Sequence, residues 1–362
     1  MEESIKRNIK DYIIDSDRTL LDAIEKMSSN DRKALVVVEN GIVYGVFTRR
    51  DLLNCCHVFS FDVLPLKPYV NRKFIYFKNA VDQELSVQYH SIIPVLDENG
   101  GLIDIFFPSW KKKGEYAIPT VIMAGGKGTR LFPFTKDIPK PLVPVVKDRV
   151  MMDLVLNSFY QFGTHDYYVI VNHLKDKIIE YYKERQLDFS LRFITEDTPL
   201  GTGGGLGLLR GKIGSTFFLS NCDILVQENY DEIYEYHKAT GNAITIVTAI
   251  QSVRLPYGVL SVDKQLKFLS STEKPTYLYL ANTGVYVVNP KVFDFIGENE
   301  RVDFPTVIER MKNSGEKVGI YPVTGDKWID MGQIDELEHA KEVLKKQIDS
   351  NWYKGDVLLW MF

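Results

Sequence analysis

Val121-Ile122-Met123-Ala124-Gly125-Gly126-Lys127-Gly128-Thr129-Arg130-Leu131 decides how this chain is read. An apolar run of strand length passes directly into three glycines within four residues. Glycine lets the backbone approach an anion closely and turn several N–H groups toward it, and in an open α/β sheet ligands collect at the carboxyl ends of strands. Two familiar phosphate loops do not fit. A P-loop needs four residues between its first glycine and a Gly-Lys-Ser/Thr, and here Gly-Thr-Arg follows instead. The dinucleotide fingerprint needs a third glycine where Leu131 stands, and Pro133 follows rather than a helix.

Outward from this loop, strand-like runs alternate with segments of helical period: Thr120 to Met123, Met151 to Phe162, Tyr167 to Val171, Lys175 to Glu184 and Leu191 to Thr195. Such alternation predicts βαβ units around a largely parallel sheet, an α/β fold. Phe217 to Ser220 and Ala243 to Ala249 supply further buried strands. Ile334, Leu337, Ala340, Val343 and Leu344 mark an amphipathic helix from about residue 333 to 348.

The whole chain has 362 residues, enough for two or three domains at roughly 100–200 residues each. Apolar residues make up 45% and charged residues 25%, a composition that excludes wholesale disorder. With 44 basic against 48 acidic residues the net charge is -4, so no global basic field supports nucleic-acid binding. No apolar run approaches the ~20 residues of a membrane span, and the stretch MEESIKRNIKDYIIDSD carries charges throughout, with no apolar core of signal-peptide length. Cys55, Cys56 and Cys222 are too few for a disulfide framework. A cytoplasmic, reducing location is the expectation, with neither nucleic-acid nor membrane partners. The 20 Tyr and 20 Phe exceed what a minimal core needs and are assigned to domain or subunit packing.

Residues 1–115 contain an internal repeat. Ala34 to Phe47 and Ile92 to Phe107 each read as strand, acidic-Asn-Gly turn and second strand, the pattern of a β-hairpin. Thr19 is placed to cap a helix bearing Leu20, Leu21, Ile24 and Met27 ahead of the first hairpin. Lys111-Lys112-Lys113-Gly114-Glu115 reads as a solvated linker. The last residues, 347–362, form an apolar tail with Val357 to Phe362 suited to packing on the same domain or on a second subunit of a homo-oligomer.

The N-terminal repeat resembles a tandem pair of CBS modules, which commonly bind adenine nucleotides. The resemblance is carried by Gly45-Val46-Phe47-Thr48-Arg49-Arg50-Asp51-Leu52, and it implies a ligand site with Thr48 on phosphate or ribose and Asp51 on ribose hydroxyls. The second copy reads Pro108-Ser109-Trp110 after its last strand and lacks this pair, so at most one such site is expected.

The longer string from Gly125 to Thr135, with Pro139-Lys140-Pro141-Leu142-Val143-Pro144-Val145, resembles the signature of the sugar-1-phosphate nucleotidylyltransferases. Further landmarks follow in order: Leu200-Gly201-Thr202-Gly203-Gly204, Asn221-Cys222-Asp223, Tyr257-Gly258, Glu273-Lys274-Pro275, Asn282-Thr283-Gly284 and Trp328-Ile329-Asp330-Met331-Gly332. This resemblance covers residues 118–346 and implies a Rossmann-like nucleotidyltransferase domain with a mixed, mostly parallel sheet, preceded by the CBS pair. The fused CBS pair is similar to the regulated sugar-phosphate guanylyltransferases of bacterial nonulosonic (legionaminic) acid pathways. It implies GTP as nucleoside triphosphate and glucosamine-1-phosphate as sugar-1-phosphate, with uridylyl, cytidylyl or thymidylyl transfer to another sugar phosphate as the alternative. A non-catalytic nucleotide sensor is the competing reading from another class.

By resemblance, catalysis falls to Arg130, Lys140, Asp223 and Lys274. Arg130 presents a planar fork for phosphate oxygens, while Lys140, between two prolines, presents a point charge. Asp223 and Asp330 are implied ligands of Mg²⁺, which prefers hard oxygen donors. Ala124, Gly125, Gly126, Gly128, Thr129, Glu196, Gly201 and Thr202 are assigned to the nucleotide. The five glycines between Gly201 and Gly207 are expected to form an open loop against the base. Gly258, Glu273, Asn282 and Thr283 are assigned to the sugar. A phosphate monoester is largely ionised at pH 7, so no general base is needed and the six histidines require no catalytic role.

Overall fold

A computed structural model describes residues 8–30, 33–53, 64–78, 91–107 and 116–349. The Lys111–Glu115 linker, Cys55, Cys56, Pro108-Ser109-Trp110 and the apolar cluster Val357 to Phe362 lie outside the described residues.

The described strands of the N-terminal repeat pair in the same way in both copies. β1 (Ile13–Asp15) leads through α1 (Leu20–Ser29) to the hairpin of β2 (Ala34–Glu39) and β3 (Ile42–Thr48), which ends in α2 (Arg49–Leu53). Thr19 caps α1 as its sequence position predicts: its hydroxyl accepts from Asp22 N–H at 3.1 Å while the Asp22 carboxylate accepts from Thr19 N–H at 3.0 Å. Asn40 and Gly41 both take positive φ, the turn type that a two-residue hairpin with right-handed twist requires. The second copy comprises β4 (Phe77–Lys78), β5 (Ile93–Leu96) and β6 (Leu102–Phe106). In both copies the first strand pairs parallel with the second and the second antiparallel with the third, with a register shift near the turn. Tyr12, Ala34, Val36, Ile92 and Ile105 form one buried cluster drawn from both copies.

From residue 116 the chain builds the α/β sheet anticipated from the alternating pattern. Its elements, in chain order, are β7 (Thr120–Met123), the short pair β8 (Pro144–Val146) and β9 (Arg149–Val150), α3 (Met151–Tyr160), β10 (Asp166–Val171), α4 (Lys175–Lys183), β11 (Ser190–Thr195), the turn α5 (Gly201–Gly204), β12 (Phe217–Asn221), β13 (Ile224–Val226) and α6 (Tyr230–Thr240). There follow β14 (Ile244–Arg254), the hairpin β15 (Val259–Val262) and β16 (Phe268–Thr272), β17 (Thr276–Val288), α7 (Phe304–Asn313), β18 (Val318–Thr324), β19 (Trp328–Asp330) and α8 (Ile334–Asp349). The seven-stranded sheet has the order β11-β10-β7-β12-β17-β14-β18. β11, β10, β7 and β12 run parallel and β17 pairs antiparallel with β12, so the sheet is mixed.

β7 lies at the centre of the parallel part, and Val121 and Ile122 are fully buried on opposite faces in two separate cores. A strand buried on both faces reads as continuous apolar sequence rather than as alternation. Many of the surplus aromatics pack together in one of these cores: the rings of Phe159 and Tyr230 lie 4.3 Å apart and those of Phe218 and Tyr230 5.4 Å apart. Among the described residues, 8–107 and Ile250–Ala281 form one compact unit, while 116–249 and 282–349 form a second. The long strands β14 and β17 therefore contribute their inner halves to the central sheet and their outer halves to the N-terminal unit. Among the described residues, no helix is long and apolar enough to cross a membrane.

Candidate active site

Parallel pairing sets the carboxyl ends of β7 and β12 side by side, and two loops leave the sheet there. The first is the glycine loop. Ala124 is buried and its N–H still donates to Ile170 O at 2.8 Å, so the loop proper begins at Gly125. Gly126 is exposed with nothing within 4 Å of where a side chain would begin. Gly128 adopts φ +66° and packs against the stems of Lys140 and Thr135, while the buried Thr135 hydroxyl donates to Gly128 O at 2.7 Å. The Thr129–Leu131 turn then exposes Thr129 and Arg130.

The second loop carries Asp223 out of β12 and returns as β13. β13 pairs antiparallel with β19, placing Ile224 opposite Asp330, and Met331 N–H donates to Asp223 O at 2.9 Å. This two-stranded ladder brings together two aspartates 107 positions apart in sequence. Gly332 marks where they meet. A methyl group at that position would stand 2.4 Å from Asp223 Oδ2, 2.9 Å from Asp330 Oδ1 and 3.3 Å from Arg130 Nη2. Two carboxylates and a guanidinium thus converge on one bare stretch of backbone.

Lys140 begins a single turn after Pro139 and is ion-paired with Asp223 Oδ2; the two side chains are 13% and 5% exposed. Burial works against its charge, but the Asp223 carboxylate more than compensates and holds the ammonium above its ordinary pKa. Burial also pushes the Asp330 carboxyl up, opposed by the Gly332 N–H at 2.7 Å and reinforced by the charge of Asp223. The adjacent Cys222 thiol is raised to about 12 by burial and is therefore inert.

Glu196 lies at the end of β11 with its carboxylate between two glycine backbones: methyl groups at Gly125 and Gly205 would stand 2.9 Å and 2.5 Å from its oxygens. Burial raises its pKa despite a backbone donor at Leu200. The Gly201–Gly205 run is not the open loop expected. It is a closed turn in which Gly203, Gly204 and Gly205 are buried, and Gly201, Gly203 and Gly204 press on the backbone of Glu300 and Val302. Glycine serves there as the residue that lets two backbones touch. The Thr202 hydroxyl accepts from Phe304 N–H at 2.9 Å at the start of α7.

A second group of anticipated residues sits on the arm between β14 and β17. Lys274 N–H donates to Tyr257 O at 3.2 Å, and a methyl at Gly258 would lie 2.9 Å from Glu273 Oε2, so Gly258, Glu273 and Lys274 share one turn. Lys274 is exposed with a left-handed backbone, φ +47°. Lower on β17, Asn282 Nδ2 donates to Tyr286 OH at 2.9 Å. Thr283 is buried, its hydroxyl donating to Val247 O at 2.8 Å and accepting from Val285 N–H. In the N-terminal unit, Asp51 accepts from both the N–H and the hydroxyl of Thr48 at 2.9 and 2.7 Å.

Three contributors were not singled out from sequence. Asn172, which donates to Glu196 O at 3.0 Å, carries no signal in its surroundings. Thr135 and Gly332 lie inside quoted strings, yet only packing reveals what each does.

Residues 119–347 match the nucleotidyl transferase family. The chain belongs to that family. Residues 6–57 match the CBS domain, which covers the first N-terminal copy. The family member is 32% identical over 226 residues to a mannose-1-phosphate guanyltransferase from Candida albicans, covering 59% of this chain and 60% of the relative. It is 29% identical over 250 residues to a UTP–glucose-1-phosphate uridylyltransferase from Synechocystis, covering 63% of this chain and 64% of the relative. The chain thus spans about three-fifths of these curated relatives. Among solved structures it is similar to HddC from Yersinia pseudotuberculosis, with TM-score 0.50 and 24% identity over 63% of this chain and 99% of that one, a likeness of fold.

Proposed function

We propose that this chain transfers a nucleotidyl group from a nucleoside triphosphate to a sugar-1-phosphate. An oxygen of the sugar phosphate forms a bond to the α-phosphorus, and the bond from that phosphorus to the bridging oxygen breaks, releasing pyrophosphate. The observation that carries this reading is the convergence of Arg130, Asp223 and Asp330 around Gly332, with Lys140 ion-paired to Asp223 beside the glycine loop. Phosphoryl chemistry of this kind asks the protein for positioning and charge neutralisation rather than for a base. Arg130 and Lys140 would supply positive charge for the phosphates; Glu273 and Lys274, on the arm with Gly258, would take the sugar phosphate, and Asn282 would contact the sugar. Thr283, whose hydroxyl is engaged by Val247 O and Val285 N–H, would act by holding the strand rather than by touching the sugar. Ala124, Gly125, Gly126, Gly128 and Thr129 would cradle the triphosphate, with Glu196, Gly201 and Thr202 shaping the wall around the base.

Two aspartates from different strand ends suit a divalent cation such as Mg²⁺, which commonly takes one or two carboxylates and completes its shell with phosphate and water. Of the two, Asp223 is ion-paired with Lys140. When bound, the metal would neutralise the triphosphate and polarise its phosphorus–oxygen bonds.

GTP is the first choice of nucleotide and glucosamine-1-phosphate of sugar. Guanylyl and uridylyl enzymes both occur among the relatives, so the test sets every nucleoside triphosphate against a panel of sugar-1-phosphates with Mg²⁺ present or chelated, and reads pyrophosphate. Release with GTP, lost on chelation and in Asp223→Asn, is expected. Turnover with UTP alone would remove the guanylyl assignment. No turnover with any pair would leave a nucleotide sensor, whose ligand at Thr48 and Asp51 would be an adenine nucleotide.

A further inference from the structure

The arm bearing Gly258, Glu273 and Lys274 is packed into the core of the N-terminal unit. Ile250, on the outer half of β14, is 7% exposed and belongs to the same buried cluster as Ile14, Leu20, Met27, Phe47 and Leu52. On β17, Leu278 and Leu280 lie two residues apart on one face and pack against that cluster, while Tyr279 between them is 51% exposed. These leucines follow Lys274 by four and six positions. Leu255 N–H to Pro275 O at 3.0 Å and Lys274 N–H to Tyr257 O at 3.2 Å tie the turn to both stems. The inner halves of the same strands are held otherwise: Val247, Ala249, Val285 and Val287 are buried in the core of the α/β sheet. Each strand continues from one compact unit into the other, and the turn with Lys274 lies beyond the residues packed in the N-terminal core.

Cores are close-packed, so a change on one side of a shared cluster is felt on the other. Leu52, 1% exposed, is the neighbour of Asp51 and packs in this cluster on the module side. Residues 255–275 have no comparable core of their own: Leu260, Leu266, Phe268 and Leu269 of the β15–β16 hairpin are each more than 60% exposed. The arm's order therefore derives from its stems.

We infer that the N-terminal module is a positioning element for the turn that carries Glu273 and Lys274, the residues proposed above to take the sugar phosphate, acting through Ile250, Leu278 and Leu280. The inference rests on the proposed transfer reaction and assigns a regulatory lever to it. Whatever shifts the module's core changes how Glu273 and Lys274 are held, and with them the sugar phosphate.

The test uses the full chain with Leu52→Ala on the module side and Leu280→Ala on the arm side, neither of which touches substrate. Amide hydrogen exchange is expected to speed up at least about tenfold across residues 255–275 in both variants, with β7 and β10 unchanged. In turnover, KM for the sugar-1-phosphate is expected to rise several-fold while KM for the nucleoside triphosphate holds. Unchanged exchange in 255–275 of Leu52→Ala, or an equal rise in both KM values, overturns the inference. Should Leu52→Ala fail to fold, Leu52→Val carries the same comparison. If the parent chain releases no pyrophosphate with any substrate pair, the transfer reading fails, and the exchange measurement still decides the coupling.

Discussion

The Lys140 ammonium is ion-paired with the Asp223 carboxylate in a setting where both side chains are largely removed from solvent. A pair of this kind contributes little net stability, because desolvation of the two charges offsets their attraction. Breaking it on one side is another matter, since the remaining charge stays buried. It lies between the glycine loop and the Asp223–Asp330 ladder, where the proposed transfer reaction would use both charges.

Lys140→Met is accordingly expected to cost about 3–5 kcal/mol of stability and to abolish pyrophosphate release. Adding Asp223→Asn removes the stranded carboxylate and should recover much of the thermal stability but none of the activity. Thermal denaturation of the single and double variants checks this. A single variant as stable as the parent would mean the pair is not buried in solution.

Gly332→Ala introduces a methyl group 2.4 Å from Asp223 Oδ2 and 2.9 Å from Asp330 Oδ1. Neither carboxylate can keep its place, and misplacement by about 1 Å can cost on the order of 100-fold in rate. A fall of that order in kcat is expected, together with a higher Mg²⁺ concentration for half-maximal activity. Parent-like kinetics with a parent-like Mg²⁺ requirement would rule out convergence at this point.

Thr135→Val keeps the shape of the side chain and deletes the hydroxyl that holds Gly128 O at 2.7 Å. A neutral hydrogen bond of this type is worth about 1 kcal/mol. The glycine loop should loosen, raising KM for the nucleoside triphosphate about fivefold and leaving KM for the sugar phosphate unchanged, with Thr135→Ser close to the parent. Steady-state kinetics on both substrates separates these outcomes.

His237 makes the acid limit of stability predictable. It is 3% exposed on α6, its Nδ1 lies 2.9 Å from Thr245 Oγ1, and burial lowers its pKa from 6.5 to about 4. Between those values the unfolded chain binds a proton that the folded chain does not. Stability therefore falls as pH falls through the window, by on the order of 3 kcal/mol by pH 4. Denaturant titrations at pH 7, 5.5 and 4 should show this slope, and His237→Gln should flatten it.

The periodic parts of the molecule were legible from residue order because the relevant forces are local. Thr19 and Asp22 cap α1 within one turn, Asn40-Gly41 imposes the hairpin twist, and Val121-Ile122 announces a strand buried on both faces. The glycine run at 201–205 misled on openness because a glycine that frees a loop and a glycine that admits a neighbouring backbone are the same residue in sequence. Only the approach of Glu300 and Val302 distinguishes them. The role of Thr135 was hidden likewise, since its partner carbonyl is seven positions away across a turn.

Residue order by itself determined the α/β alternation, the N-terminal repeat and the glycine loop. These follow from period, turn chemistry and the short reach of caps and hairpins, whereas the candidate charges were named by family resemblance. The tertiary structure alone decided which of those charges meet. The β13–β19 ladder joins Asp223 to Asp330 across 107 positions, Gly332 leaves room for them and Arg130, and the outer halves of β14 and β17 place Lys274 in the unit of the N-terminal repeat. Pairing between distant strands depends on how whole faces pack, and no local pattern of residues encodes that partnership.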